Sequence, residues 1–361
     1  MKKVIILLLA AFWVALPLRG ESPDPDPFIK GIYGNPATLL DAGYAFDDLG
    51  MNAVFVRSIS LTTTFYQTAK DQNCRVYVEF PVLNGKNYLK TNKEAWPINE
   101  KGEKAPPADW FMGICPTHPG FRDFRETQLR EILNDFEVDG IFLDYMHWHA
   151  QFETEDPILP ETCFCDRCTR QFASSYELQP EGETIPEKAR WILTNAEDQW
   201  RSWRNDILNQ WVDDLGAILR KKQPEALLGI FHCAWYPDDH NGALYRILGI
   251  DVKELAERAD VLSPMLFHKM INRPPRWVGE YLNWMDKLTD AGRNKEPLVW
   301  PIVQAHDKPA PVSPEEFRQA MIEGSQFPSS GIMMFSDQSL LDNPEKIEVM
   351  KNLYHQELKH P

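Results

Sequence analysis

The sequence of 361 residues predicts a (β/α)8 barrel of the TIM type, an α/β fold with long loops after strands three and four. Two observations carry this. Short β-rich runs alternate eight times with longer amphipathic stretches. No Gly-rich phosphate turn follows the first run, where Gly31-Ile32-Tyr33-Gly34 stands, which disfavours a doubly wound open sheet. No Gly/Ser linker, low-complexity tract or repeat beyond the barrel unit divides the chain.

The first run is Ile29 to Gly34, followed by a helix over Pro36 to Leu49. Ala53 to Ser58 precedes a helix over Thr62 to Asn73. Arg75 to Leu83 leads into a long loop, 84–120, and a helix over Phe121 to Phe136. Gly140 to Tyr145 is followed by an insertion, 146–187, and a long helical stretch from Glu187 to Lys222. Leu227 to Ala234 precedes helical sequence over Ala243 to Arg258. Val261 to Phe267 precedes a helix over Arg276 to Ala291. Leu298 to Gln304 precedes one over Pro314 to Gln326. Gly331 to Phe335 and a helix over Pro344 to His355 complete the barrel.

Ahead of the barrel, Lys2 and Lys3 precede an apolar run from Val4 to Leu18, and polar sequence follows from Glu21. This reads as a secretory signal peptide over 1–20, with a Pro-rich linker over 21–27 and a single barrel domain over 28–358. An uncleaved anchor is the alternative, but the run is short for a spanning helix. The mature chain is expected to be secreted or periplasmic. Formal net charge is −15. That argues against nucleic acid, and against an anionic membrane surface after cleavage, because both require a basic face. The 12 Trp suit sugar binding or a large core.

Barrel enzymes work at the C-terminal ends of their strands. In Gly140-Ile141-Phe142-Leu143-Asp144-Tyr145, alternation places Gly140, Phe142 and Asp144 on the inward face, with Asp144 at the barrel mouth. A carboxylate so placed is costly without partners and is the first catalytic candidate. His147 and Trp148 follow in Met146-His147-Trp148-His149 as candidate sugar contacts. The two histidines are also of a metal-ligating type, but no matching carboxylate–His motif accompanies them.

The stretch DGIFLDYMHWH, followed by Cys163-Phe164-Cys165-Asp166-Arg167-Cys168, resembles exported (β/α)8 proteins of the hypothetical glycosyl hydrolase type. It resembles family 42 β-galactosidases more distantly. The resemblance implies a glycosidase acting on carbohydrate, without an organic cofactor. It also implies a structural zinc site of Cys115, Cys163, Cys165 and Cys168, closed and therefore not catalytic. Disulfides are the competing reading in an exported protein, with Cys115 bridging one of the triplet. Cys74 and Cys233 read as buried free thiols.

Glycoside hydrolysis normally needs two carboxyl groups. Family 42 enzymes place Glu on strands four and seven, and this chain has neither. Its seventh strand ends Gln304-Ala305-His306-Asp307. An Asp ending strand four is the nucleophile position of several α-acting barrel glycosidases, which suits Asp144 as nucleophile or base. Asp238, Asp239 and Asp337 are the candidate acids. Glu79 is expected to pair with Arg57 and so to have a lowered pKa. Tyr33, Arg57, Glu79, His232, Trp235, His268 and Gln304 are candidate substrate contacts, beside His147 and Trp148. Trp191, Trp200, Trp203 and Trp211 fall at helical spacing and are expected to pack. A non-catalytic carbohydrate-binding barrel and a metal-dependent deacetylase or amidase are the alternatives. No G-x-S-x-G elbow is present for a serine esterase.

Overall fold

Eight parallel strands close into a barrel. A computed structural model describes residues 27–358, apart from 109 and 295. The expected signal peptide and nearly all of the expected linker lie outside the described residues. β1 (Ile29–Gly34), β2 (Ala53–Arg57), β3 (Arg75–Pro81), β4 (Gly140–Asp144), β5 (Leu227–Cys233) and β6 (Val261–Leu266) pair in sequence order. β7 comes in two pieces, Leu298–Val299 and Ile302–Gln304, both paired with β6. Pro301, between them, has no N–H for the ladder. β8 (Gly331–Phe335) pairs with the second piece of β7 and with β1, and so closes the barrel.

Strand alternation sorts the side chains into two apolar clusters. The inward cluster includes Tyr33, Phe55, Tyr77, Phe142, Phe231, Trp300 and Met333. Its rings interlock. Phe55 lies 4.9 Å from Tyr77 and 5.0 Å from Phe142, and Tyr77 lies 5.2 Å from Trp300, centroid to centroid. An eight-stranded barrel is narrow enough to be filled by its own side chains. Here rings fill it only because glycines stand opposite them. A Cβ on Gly31 would lie 2.5 Å from the Phe55 ring, and one on Gly229 would lie 2.3 Å from the Phe142 ring. On their outward faces the strands present aliphatic side chains such as Val54, Val76, Ile141, Ile230 and Leu262 to the helices, which add aromatic ones such as Phe121, Trp211 and Trp277.

Around the wall stand α1 (Ala37–Asp41), α2 (Thr63–Asp71), α3 (Pro119–Asp135), α4 (Asp166–Ser175), α5 (Ile185–Asn195) and α6 (Glu197–Lys222). They are followed by α7 (Ala243–Arg246), α8 (Val252–Ala256), α9 (Trp277–Thr289), α10 (Ala291–Asn294), α11 (Pro314–Gly324), α12 (Asp337–Leu341) and α13 (Pro344–Asn352). Their starts carry recognisable signals. His118 caps α3 by accepting the Phe121 N–H, and Ser313 with Glu316 forms a capping box on α11. Trp200, Trp203 and Trp211 of α6 are buried as expected, and Trp191 of α5 is half-buried.

Three helical expectations are too long. α1 stops early because Gly43, at φ +89°, turns the chain out of the helix. The stretch 243–258 breaks where Gly249, at φ +74°, passes beside Trp148. The stretch 187–222 breaks at Ala196, and the insertion before it contains α4, a short amphipathic helix that the sequence expectations do not include. No helix among the described residues is long and apolar enough to cross a membrane.

Replacing Gly229 by Ala overpacks the barrel interior against Phe142. We expect a loss of about 1–3 kcal/mol, read as a lower urea midpoint. An unchanged midpoint would contradict the packing described here.

Candidate active site

A cavity of about 630 Å³ opens at the C-terminal end of the barrel. Its floor is the top of the aromatic plug, where Tyr33, Phe267 and Phe335 meet. Its walls come from the loops after β3, β4, β7 and β8, including Trp110, Phe111, Phe152, His306 and Ser336. Aromatic walls with a few polar groups are the usual make-up of a small-molecule site.

Asp144 sits in this cavity at the last position of β4 and is 7% exposed. Its Oδ2 accepts a hydrogen bond from the Tyr33 hydroxyl at 3.1 Å, and its Oδ1 accepts the Tyr145 N–H at 2.7 Å. Burial raises its pKa to about 6, while those two donors and Arg57 hold it from rising further. Tyr145 adopts φ +55°, an uncommon conformation for a tyrosine, immediately after the carboxylate. Arg57 reaches into the cavity from β2, with its guanidinium 6.0 Å from the Tyr33 ring centroid and 5.8 Å from that of Phe335.

Glu79 lies beside Arg57 in the β2–β3 register but is buried below the cavity. Its pKa is raised, contrary to the expectation. Loss of water and the nearby Asp144 charge outweigh the pull of Arg57 and Arg125. It is a buried carboxyl that does not line the cavity.

Glu153 has no counterpart among the sequence candidates. It lines the cavity from the loop after β4 and is half-buried there. It has no hydrogen-bond partner among the described residues. Burial, then the Asp144 charge, raises its pKa to about 8. The local chain is well anchored. Gln151 and Ile158 exchange backbone hydrogen bonds at 2.9 Å, and the Phe152 ring packs 5.0 Å from His147 and 6.0 Å from Trp235.

The other candidates divide. His147 lines the cavity, and burial lowers its pKa to about 4, so it is neutral there. Trp148 does not reach the cavity. It is wholly buried, donates from Nε1 to the Arg204 carbonyl at 2.9 Å and lies under that guanidinium. His232 is on the outward face of β5, in the wall–helix layer, and its Nδ1 meets the Cys233 carbonyl. Trp235 packs behind Phe152, beside a minor recess next to the main cavity. His268 is wholly buried away from the cavity, with neither ring nitrogen partnered among the described residues. Gln304 is buried and braces loops, accepting the Lys269 N–H and donating to the Lys308 carbonyl.

None of the three candidate acids lines the cavity. Asp238 is exposed on its turn. Asp239 accepts the Tyr236 N–H and pairs with Arg273 at 2.9 Å, as turn chemistry would have it. Asp337 is 5% exposed and ties α12 to the β1 loop, accepting from the Asn35 N–H and the Thr38 hydroxyl. Asp239 and Asp337 are thus each committed to protein donors away from the cavity.

Away from the cavity, Cys115, Cys163, Cys165 and Cys168 converge, with all four sulfurs within 4.8 Å of one another. Cys115 Sγ lies 3.7 Å from that of Cys165 and 3.4 Å from that of Cys168, and none is disulfide-bonded. A tetrahedral thiolate site with metal–sulfur bonds of about 2.3 Å has sulfur–sulfur edges of about 3.8 Å, so the spacing suits a metal ion. The Ile98 N–H and the Arg167 guanidinium each donate to a sulfur at 3.3 Å, as outer partners of thiolates do. His149, far from ligating, accepts the Gly113 N–H and meets the Pro106 carbonyl, bracing the β3 loop against the β4 loop. Cys74 and Cys233 are buried free thiols.

No family model matches the sequence, and no curated protein matches it. Solved structures do. The glycoside hydrolase domain of PgaB (BpsB) from Bordetella bronchiseptica aligns with a TM-score of 0.68 at 13% identity, over 92% of this chain and 100% of that one. A catalytic mutant of Gan42B, a GH42 β-galactosidase from G. stearothermophilus, aligns with a TM-score of 0.64 at 12% identity, over 93% of this chain. The β-galactosidase from a Rahnella species aligns with a TM-score of 0.64 at 12% identity, over 91% of this chain. The chain spans only 58% and 56% of those two β-galactosidases. At these identities the likeness shows a shared barrel fold.

Because Trp148 is wholly buried and bonded to α6, Trp148→Ala should cost about 3–5 kcal/mol of stability by chemical denaturation. Unchanged stability with weakened sugar binding would return it to the cavity.

Proposed function

We propose that this protein is an exported glycoside hydrolase in which Asp144 is the charged carboxylate facing the anomeric carbon, as nucleophile or as base to water. The observation that carries the reading is a carboxylate at the end of β4, buried on an aromatic floor and oriented by two donors, within a cavity large enough for sugar. The oxocarbenium-like transition state of glycoside cleavage develops positive charge beside such a group. The low local dielectric that raises the pKa of Asp144 also strengthens its attraction for that charge. The glycoside hydrolase names of the similar barrels support the substrate class, and the leader-like residues 1–20 support export.

For the cysteine cluster we propose zinc in a closed, structural site that joins the β3 and β4 loops. Elemental analysis of chelator-free protein should then find about one zinc per chain, and removing the metal should lower the melting temperature. Metal-free protein with bridged thiols would support disulfides instead.

The enzymatic test is reducing-sugar release from a broad panel of oligo- and polysaccharides by the wild type and by Asp144→Asn. We expect release that falls at least about a hundredfold in the variant. Because the charged form of Asp144 is required, activity should rise with pH through about 6. No release from any substrate by folded wild type would refute the reading and leave a sugar-binding barrel.

A further inference from the structure

We infer that Glu153 is the catalytic acid of this site, the group that protonates the departing glycosidic oxygen. The inference rests on the glycosidase reading above and adds the second carboxyl that the strand ends do not supply.

Elimination among the cavity carboxyls points to Glu153. Asp307 lines the cavity but is bonded to Lys346 at 2.8 Å and to the Val312 N–H, which keep it ionised. Asp342 is exposed at the rim and accepts from Gln338. Asp144 is bonded by Tyr33 and Tyr145, which favour its charged form. Glu79 is not part of the cavity lining. Glu153 alone among these faces the cavity with both oxygens uncommitted to protein donors among the described residues.

Its placement suits the task. The backbone pair Gln151–Ile158 closes a short loop, and Phe152 anchors its first turn between His147 and Trp235. Glu153 thereby faces the same cavity as Asp144, with no cation paired to it among the described residues. Two carboxyls whose surroundings separate their proton affinities are how one site supplies both an acid and a base at neutral pH. The step balances. The Glu153 proton moves to the glycosidic oxygen as the C–O bond breaks, and that bond's electron pair stays on the oxygen. The leaving group departs as a neutral alcohol. Water supplies the hydroxyl that ends on the anomeric carbon, and its proton restores the carboxyl.

The test compares wild type, Glu153→Gln and Asp144→Asn on two kinds of substrate. One is the unactivated oligosaccharide that the wild type cleaves. The other is the 2,4-dinitrophenyl glycoside of the same sugar, whose leaving group needs no proton. Glu153→Gln should lower kcat/KM on the oligosaccharide by about 10²–10⁴-fold and on the aryl glycoside by less than about tenfold. It should also remove the fall in activity that the wild type shows above about pH 8. Asp144→Asn should impair both substrates. If Glu153→Gln cleaves the oligosaccharide at the wild-type rate, the assignment is overturned while the glycosidase reading stands. Equal loss on both substrates by Glu153→Gln, with an unchanged melting temperature, also overturns it. A wild type inactive on every substrate refutes the glycosidase reading itself.

Discussion

The burial of Asp144 on top of a barrel filled with aromatic rings is the constraint on which the rest of the site depends. Phe55, Tyr77, Phe142, Phe231 and Trp300 exclude water from the barrel interior, and Tyr33 and Phe335 extend that surface to the mouth. An ionised carboxylate cannot sit there unless donors hold it. The Tyr33 hydroxyl, the Tyr145 N–H and the nearby Arg57 charge provide that support, and the strained Tyr145 backbone delivers one of the two hydrogen bonds. The same dry surroundings raise the proton affinity of two other carboxyls nearby, Glu79 and Glu153. Glu79 and Glu153 therefore tend to keep their protons next to a charged Asp144.

Distant sequence is brought into this setting by two loops that are fastened to each other. The β3 loop supplies Trp110 and Phe111, and the β4 loop supplies Phe152 and Glu153. Cys115 joins Cys163, Cys165 and Cys168 at one end of the contact, and His149 clips Gly113 and Pro106 at the other. Between them, the Phe164 N–H donates to the Ile98 carbonyl at 2.8 Å. The four cysteines thus converge where the two loops that wall the cavity meet.

Much of the barrel was legible because strand alternation is a local rule. Once Val138 to Tyr145 is read as a strand, the inward position of Asp144 follows, and so do Tyr33 and Arg57 on neighbouring strand ends. The loops were not legible in this way. Asp337 and Asp239 look like Asp144 in sequence, yet the Asn35 N–H of the β1 loop occupies one and the Tyr236 N–H of its own turn the other. Trp148 follows the end of β4 as a binding residue would, yet turns outward onto α6. Glu153 shares its loop with Glu155, Asp156 and Glu161, and nothing in composition says which of them faces inward. The sign of the Glu79 shift was missed for a different reason. Pairing with Arg57 was foreseen, but full burial and the Asp144 charge outweigh a single neighbouring cation.

The measurement closest to the core of this account is a carbon-13 NMR titration of the Asp144 and Glu153 side-chain carboxyls in the intact protein. The account predicts two separated transitions, near 6 for Asp144 and near 8 for Glu153, with the second moving down in Asp144→Asn. Both groups titrating near the ordinary carboxylate value of about 4 would contradict it, because neither would then be buried on the aromatic floor or coupled to the other.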